Sequence, residues 1–210
     1  MEDVLDLYEQ PYDFRRPVIC FDERPCQLLG DVLVPIPMKP GRTQRQDYEY
    51  ERKGTCCIFL AFEPLRGWRF VQVRKQRTAV DYAAFMKELV DTYYPRAERI
   101  QLVQDNLNTH TPGSFYQALA PHHAFTWAQK FTLHYTPLKG SWLNMAEIEL
   151  SVLSRQCLDR RIGDMATLKK EVLIWSDNRN QARKTVRWKF TKKNARQDLR
   201  LRAKNSILGL

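Results

Sequence analysis

Two acidic residues each follow an apolar, β-prone segment of the sequence. Asp22 ends the segment 18–22, and Asp105 ends the segment 100–105. A carboxylate at the end of a buried strand is costly unless a cation, a metal ion or hydrogen bonds compensate for it, and open α/β sheets bind ligands at strand ends. A turn aspartate explains either residue taken alone. On neighbouring strands, however, the two would form a pair of oxygen ligands for a metal ion.

A catalytic site that holds two metal ions through hard oxygen ligands needs a third acid. Glu147 and Glu149 both lie on a helix predicted over 144–157. The polar stripe of that helix, drawn on a helical wheel, consists of Asn144, Glu147, Ser151 and Ser154. Glu149 falls about 200° away from Glu147, so the two glutamates cannot serve one site. The wheel favours Glu147 without excluding Glu149.

Several other residues of reactive or metal-binding types are predicted to have structural roles. Glu23 follows the first acid of the pair on the same predicted strand, so it points to the opposite face and is predicted to be a charge at the sheet edge. His122 and His123 are adjacent and point apart, which favours a surface role over a metal site. Trp127 and Trp142 are predicted to pack.

The predicted elements that must position the acids alternate between strands and helices. Strands are predicted at 18–22, 57–62, 68–73, 100–105 and 131–135, and helices at 78–94, 112–119, 144–157 and 166–180. Three antiparallel strands followed by helix-linked strands make an α/β fold: a mixed five-stranded sheet with helices on both faces. This order matches the ribonuclease H-like architecture, although periodicity alone does not select it over other α/β folds.

The positive charge of the chain is concentrated at its C-terminal end. Of 210 residues with a net charge of +10, the last 60 hold 16 basic and 5 acidic side chains, whereas residues 1–150 hold 18 basic and 19 acidic ones. Such a block attracts nucleic acid, unless it is only a solvated tail. The predicted DNA-backbone contacts are Arg183, Lys184, Arg187, Lys189, Lys192, Lys193 and Arg196, and the block continues through Arg200, Arg202 and Lys204.

Composition excludes several classes of protein. No apolar stretch approaches the roughly 18 residues of a membrane span, and the acidic start lacks the apolar core of a signal peptide. Five cysteines without a Cys-x-x-Cys pair predict reduced thiols in a cytoplasmic protein. We expect a lead-in or linker remnant at 1–17, a catalytic domain at 18–182 and a basic segment of the same domain at 183–210.

Three motifs of the sequence resemble the signatures of one transposase family. The segments Phe21–Glu23, Gln104–His110 and Gly140–Glu149 are similar to those of the insertion sequence 630 family, which is related to the mariner transposons. The resemblance extends over essentially the whole chain from about residue 18. The third acid of that family follows a Leu-Asn-x-x-Glu pattern, which falls on Glu147 and not on Glu149.

The resemblance implies a ribonuclease H-like core that performs cut-and-paste DNA transposition in the prokaryotic cytoplasm, on the nucleoid. It implies Asp22, Asp105 and Glu147 as catalytic residues and ligands of Mg²⁺, in two ions for which Mn²⁺ can substitute. The side chains expected to line that site are Asn106, Asn108, His110 and Asn144. The partners implied are transposon ends and target DNA, with a dimer assembled on DNA and no membrane.

One departure from the family leaves alternatives open. Full members begin with helix-turn-helix modules, which would precede residue 18, so we expect that portion on a separate chain, or a truncated protein. A non-catalytic DNA-binding remnant or regulator would bind DNA without metal-dependent cleavage. A ribonuclease H-type nuclease would cut RNA–DNA hybrids without strand transfer.

Overall fold

Five strands form one mixed sheet in the order β3-β2-β1-β4-β5. The structure is a computed structural model that describes residues 1–43 and 45–197, so the end of the basic segment lies outside the described residues. The strands are β1 (Val18–Asp31), β2 (Tyr50–Glu63), β3 (Trp68–Arg74), β4 (Ile100–Gln104) and β5 (Phe131–Tyr135). β1, β2 and β3 pair antiparallel, while β4 runs parallel to both β1 and β5.

Within residues 1–43 and 45–197, six α-helices cover the two faces of this sheet. They are α1 (Glu2–Glu9), α2 (Ala79–Glu88), α3 (Gly113–Ala118), α4 (Pro121–Ala128), α5 (Met145–Gln156) and α6 (Met165–Gln181). One core lies between the sheet and α1, α5 and α6, and a second core lies between the sheet and α2, α3 and α4. The predicted mixed five-stranded sheet with helices on both faces is thereby confirmed. No helix in the described part of the chain is long and apolar enough to cross a membrane.

Strand β1 runs well past the position at which the sequence predicted its end. It pairs with β4 only over Val18–Cys20, and it then continues beside β2 alone to Asp31. Pro25 lies in this extension, where the missing N–H faces no second partner strand and costs no ladder hydrogen bond. Asp22 therefore does not end its strand; it lies where the neighbouring β4 ends.

Residues 1–17 are not a bare lead-in. The acidic segment forms α1, and its Val4, Leu5 and Leu7 are buried in the first core. The charged residues between them obscured this short apolar face, which spans only two helical turns. Another helix that the sequence analysis did not predict, α4, begins at Pro121, the position at which proline favours a helix start.

The described part of the basic segment packs on the same side of the sheet as α1. Val186, Trp188 and Phe190 lie against the first core, and Ala195 is buried in it. The ring of Trp188 lies 5.5 Å from that of Tyr8 in α1. Thus the two ends of the described chain hold each other on the sheet.

A buried arginine links the sheet to α5 and α6. The Arg69 side chain, on β3, donates a hydrogen bond of 2.6 Å to Glu149 Oε2 and a second to the carbonyl of Lys184. Arg179 of α6 donates two more hydrogen bonds to Glu149, of 2.9 and 2.8 Å. Burial alone would raise the pKa of Glu149, but the two arginines outweigh it and hold that pKa below its ordinary value. Glu149 is therefore an ionised, structural carboxylate.

We expect Glu149→Gln to lower the free energy of unfolding by about 3–5 kcal/mol, because it leaves the buried charge of Arg69 uncompensated. Urea unfolding followed by circular dichroism measures the change. The matched control is Glu98→Gln, which removes an exposed partner of Arg15 and should cost about 1 kcal/mol or less. Equal losses in the two variants would contradict the role given to Glu149.

Candidate active site

Asp22 and Asp105 occupy neighbouring positions on parallel strands. Val18 pairs with Gln101, and the same offset of 83 residues sets Asp22 beside Asp105, one residue past the end of β4. Adjacent strands lie about 4.8 Å apart, and side chains two residues apart share a face. Asp22 has the parity of Cys20, which lies in the core beneath α5. Asp22 therefore faces the α5 side of the sheet, whereas the Asp105 side chain, one residue past the end of β4, contacts His110.

Asn144 brings the start of α5 close to Asp22 and to the end of β4. Its side-chain oxygen caps the helix by accepting from the N–H of Ala146 at 3.1 Å, and its Nδ2 donates to the carbonyl oxygen of Phe21 at 2.8 Å. One side chain thus joins the first turn of α5 to the residue before Asp22. Glu147 lies in that first turn and is partly exposed.

The electrostatics of Asp22 show that the three carboxylates interact. The pKa of Asp22 is raised from 3.8 to about 7, mainly by burial and further by the negative charges of Glu23, Asp105 and Glu147, while a hydrogen bond from the N–H of Glu23 opposes the rise. Among the described residues, no three His, Cys, Asp or Glu side chains converge closely enough to form a ready metal site. Mutual repulsion without a cation favours such separation.

The donor set fits a divalent cation of the Mg²⁺ type. Hard cations prefer carboxylate oxygens, and the excess negative charge that raises the pKa of Asp22 is the charge that such a cation neutralises. The carboxylates of Asp22, Asp105 and Glu147 would hold it. Glu149 lies outside this group because Arg69 and Arg179 occupy both of its oxygens.

His110 is held between two carboxylates. Its Nδ1 lies 2.5 Å from Asp105 Oδ1 and its Nε2 lies 3.0 Å from Glu23 Oε2. Burial lowers the pKa of His110, but hydrogen bonds to Asp105 and Glu23 outweigh it and raise that pKa to about 9. The imidazole is therefore protonated at neutral pH.

The prediction that Glu23 is a charge at the sheet edge is wrong. β1 is the central strand, and the Glu23 side chain is 2% exposed, on the face opposite Asp22. Sequence reasoning missed the pairing of Glu23 with His110, since 87 positions separate them in the chain. The only local signal is that each lies close in sequence to one of the aspartates.

The other residues predicted to line the site differ in their surroundings. Asn106 and Asn108 are exposed in the loop that follows Asp105, and neither side chain forms a hydrogen bond with another described residue. His110, and not either asparagine, contacts the Asp105 carboxylate. Asn144 is buried and acts through the backbone contacts described above. His122 and His123 lie exposed on α4.

The predicted DNA-backbone residues divide into two groups. Lys192 and Arg196 form ion pairs with Asp6 and Glu2 of α1, so these two cations have partners within the chain. The others are exposed and have no acidic partner within 4 Å in the described part of the chain; they are Arg183, Lys184, Arg187, Lys189 and Lys193. The unpaired positive charge thus lies mainly between residues 183 and 193.

Comparison with known proteins identifies the family to which the chain is similar. The family model described as DDE superfamily endonuclease matches residues 17–169, nearly three quarters of the chain. The match includes Asp22, Asp105 and Glu147. No curated protein matches the sequence.

Solved structures with a similar fold include three complexes of a mariner transposase, Mos1. The paired end complex with Mn has a TM-score of 0.58 and 14% identity, and the match covers 87% of this chain and 54% of that chain. A pre-cleavage transpososome has a TM-score of 0.55 and 14% identity, with 87% of this chain and 59% of that chain covered. A strand transfer complex has a TM-score of 0.54 and 13% identity, with 86% of this chain and 51% of that chain covered. At these identities the likeness shows a shared fold alone. This chain spans between 51% and 59% of the length of those chains.

We expect Asp22→Asn to stabilise the protein in EDTA. The folded pKa of about 7 exceeds the ordinary value of 3.8, so the folded state binds the extra proton, and stability falls as pH rises from about 4 to about 7. Asparagine does not ionise, so the variant does not lose stability in this way as the pH rises. The melting temperature at pH 8 should rise by about 2–4 °C, equivalent to roughly 1 kcal/mol.

The gain should be smaller at pH 5, where the wild-type carboxyl is still largely protonated in the folded state. Asp91→Asn is the control, since Asp91 lies exposed on the surface and pairs only with Lys87. A variant that melts no higher than wild type at pH 8 would contradict the interpretation of the site as an uncompensated cluster of negative charge.

Proposed function

The chain belongs to the DDE superfamily endonucleases, and on that premise we propose that it is the catalytic domain of a transposase of the insertion sequence 630 type. Asp22, Asp105 and Glu147 are its catalytic carboxylates. The observation that supports this proposal is the strand register that sets Asp22 beside Asp105 where β4 ends, with the pKa of Asp22 raised first by burial and then by the negative charges of Glu23, Asp105 and Glu147.

The proposed chemistry is the cleavage and rejoining of DNA phosphodiesters. Asp22, Asp105 and Glu147 would hold Mg²⁺ or Mn²⁺, in two ions, and the bound metal would supply activation of a water molecule and stabilisation of the leaving oxygen. Asp22, Asp105 and Glu147 supply the oxygen ligands, and Asn144 holds Glu147 against the strand that carries Asp22. The same carboxylates serve hydrolysis, which frees a 3′-OH, and the attack of that 3′-OH on target DNA. No covalent enzyme intermediate is needed, because positioning and charge stabilisation suffice.

Transposon ends and target DNA are the proposed partners. The similar Mos1 structures, which include a paired end complex with Mn and a strand transfer complex, support DNA and a divalent metal in this role. The exposed cations between 183 and 193 would contact phosphates without sequence preference. A dimer on two ends, a helix-turn-helix portion on another chain, and a place on the prokaryotic nucleoid complete the proposal.

A DNA-binding regulator without cleavage is the second candidate function. The observation that favours it is that the acids of the described residues form no ready cluster of three metal ligands. Both candidates require DNA binding, so cleavage decides between them.

We expect the wild-type chain to nick supercoiled plasmid in Mn²⁺ or Mg²⁺ and to join a 3′-OH oligonucleotide to it. Asp22→Asn, Asp105→Asn and Glu147→Gln should each lower both rates by about 100-fold or more, because each removes a charged ligand. Gel electrophoresis of the plasmid products measures both reactions. Asp91→Asn is the control of unchanged activity, and cleavage that survives all three substitutions would overturn the assignment.

We expect DNA binding to weaken steeply with salt, because neutralised phosphates release counterions. Fluorescence anisotropy with a labelled duplex between 50 and 200 mM salt measures the slope. Replacing Arg187, Lys189 and Lys193 together by Gln should reduce that slope by about 0.9 for each phosphate that the variant no longer neutralises.

The matched control for this experiment replaces three exposed cations that lie outside the basic segment, Lys87, Arg96 and Arg99, by Gln. It changes the net charge equally and should leave the slope closer to that of the wild type. Identical slopes for the two triple variants would show that the basic segment makes no localised contact with DNA.

A further inference from the structure

His110, which contacts the Asp105 carboxylate, is held on several sides. The His110 ring is 2% exposed and has one ring nitrogen on each of two carboxylates, Asp105 and Glu23. It stacks on Tyr82, with ring centroids 5.0 Å apart and planes at 30°, and meets Phe21 edge-on at 5.2 Å. Four neighbours thus fix both the position and the direction of the ring.

The backbone around this histidine is equally fixed. The His110 carbonyl accepts hydrogen bonds from Gln104 Nε2 at 2.8 Å and from the Tyr135 hydroxyl at 3.1 Å. The Oε1 atom of Gln104 in turn accepts from the Tyr82 hydroxyl at 2.8 Å. The loop that begins at Asp105 is therefore closed onto the last residue of β4 at its far end, although its middle is exposed.

Asp105 itself has little else to hold it. It follows β4 and lies outside the paired register of the sheet, and its side chain is 38% exposed. Its Oδ1 is 2.5 Å from His110 Nδ1, and no other hydrogen bond or ion pair to its side chain occurs within the described residues. The orientation of this carboxylate thus depends on the histidine.

Glu23 has no evident purpose except to hold His110. It is a buried side chain on the central strand, and among the described residues its oxygens have no hydrogen-bond partner besides His110. His110 Nε2 lies 3.0 Å from Oε2, and Arg77 lies 3.7 Å from Oε1 at the surface. A buried carboxyl group with so few partners is costly, so a packing role alone would be better served by an apolar side chain.

We propose that Glu23 and His110 are positioning residues: Glu23 holds the imidazole through Nε2, and the imidazole fixes the carboxylate of Asp105 through Nδ1. Oδ1 of Asp105 then accepts from the imidazole, and the carboxylate is held in one orientation toward a divalent cation. Two consecutive residues of β1 would thereby serve one site from opposite faces of the sheet, Asp22 as a ligand and Glu23 through the histidine. The inference rests on the proposed function, since it assigns these residues to the same carboxylate site.

The test is the affinity for Mn²⁺, measured on the full chain without DNA by electron paramagnetic resonance of the free ion. His110→Gln and Glu23→Gln should each weaken binding by about 10- to 100-fold, the usual effect of removing a partner of a metal ligand. The double variant should bind only slightly more weakly than His110→Gln alone, because the two residues act in series. Glu23→Gln keeps size and hydrogen bonding, so it provides a folded variant even if His110→Gln does not fold.

The matched control is His134→Gln. His134 also lies between a carboxylate and a second side chain, with Nδ1 2.7 Å from Asp3 and Nε2 2.9 Å from Gln101, but it contacts none of the three proposed ligands. A merely structural role for His110 would lower the melting temperature and leave Mn²⁺ affinity at the wild-type value, as in His134→Gln.

Wild-type binding that Asp105→Asn abolishes and that neither His110→Gln nor Glu23→Gln weakens would overturn the inference and leave the proposed function standing. Wild-type Mn²⁺ binding that Asp105→Asn does not reduce would overturn the proposed function, and the inference with it.

Discussion

Repulsion among carboxylates near the end of β4, in the interior of the sheet, is the constraint on which the site depends. The parallel pairing of β1 with β4 sets Asp22 beside Asp105, and the Asn144 contact adds the turn that carries Glu147. Burial and like charges both disfavour the ionised form of a carboxyl group, and the raised pKa of Asp22 reflects them in that order. This arrangement supports the proposal that the site binds divalent cations and, through them, the phosphates of DNA.

The surrounding structure keeps other charges from relieving this repulsion. Arg69 and Arg179 lie close in the fold, yet both are bound to Glu149, two residues along α5 from Glu147. The cation that does reach the site, His110, approaches Asp105 from the other side of the sheet and is shared with Glu23. These positive charges are therefore paired within the framework, and among the described residues neither Asp22 nor Glu147 has a basic partner within 4 Å.

In the basic segment, too, some residues hold the structure together and others stay exposed. Trp188 and Tyr8 pack the segment onto the core, and Lys192 and Arg196 pair with acidic residues of α1. These exposed ion pairs are individually weak, so they position the segment without committing much energy. The cations between 183 and 193 stay exposed, where a polyanion can reach them.

The sequence by itself determined the order of strands and helices along the chain and the mixed five-stranded sheet, and it predicted Asp22, Asp105 and Glu147 as the acids of the site, because hydrophobic periodicity and local motifs are properties of neighbouring residues. It placed Asp22 and Asp105 on adjacent strands, and the helical wheel separated Glu147 from Glu149. Only the tertiary structure decided that β1 continues past Asp22, that α1 belongs to the core, and that Glu23 is buried against His110. Each of these depends on contacts between residues far apart in the chain, which local patterns do not encode.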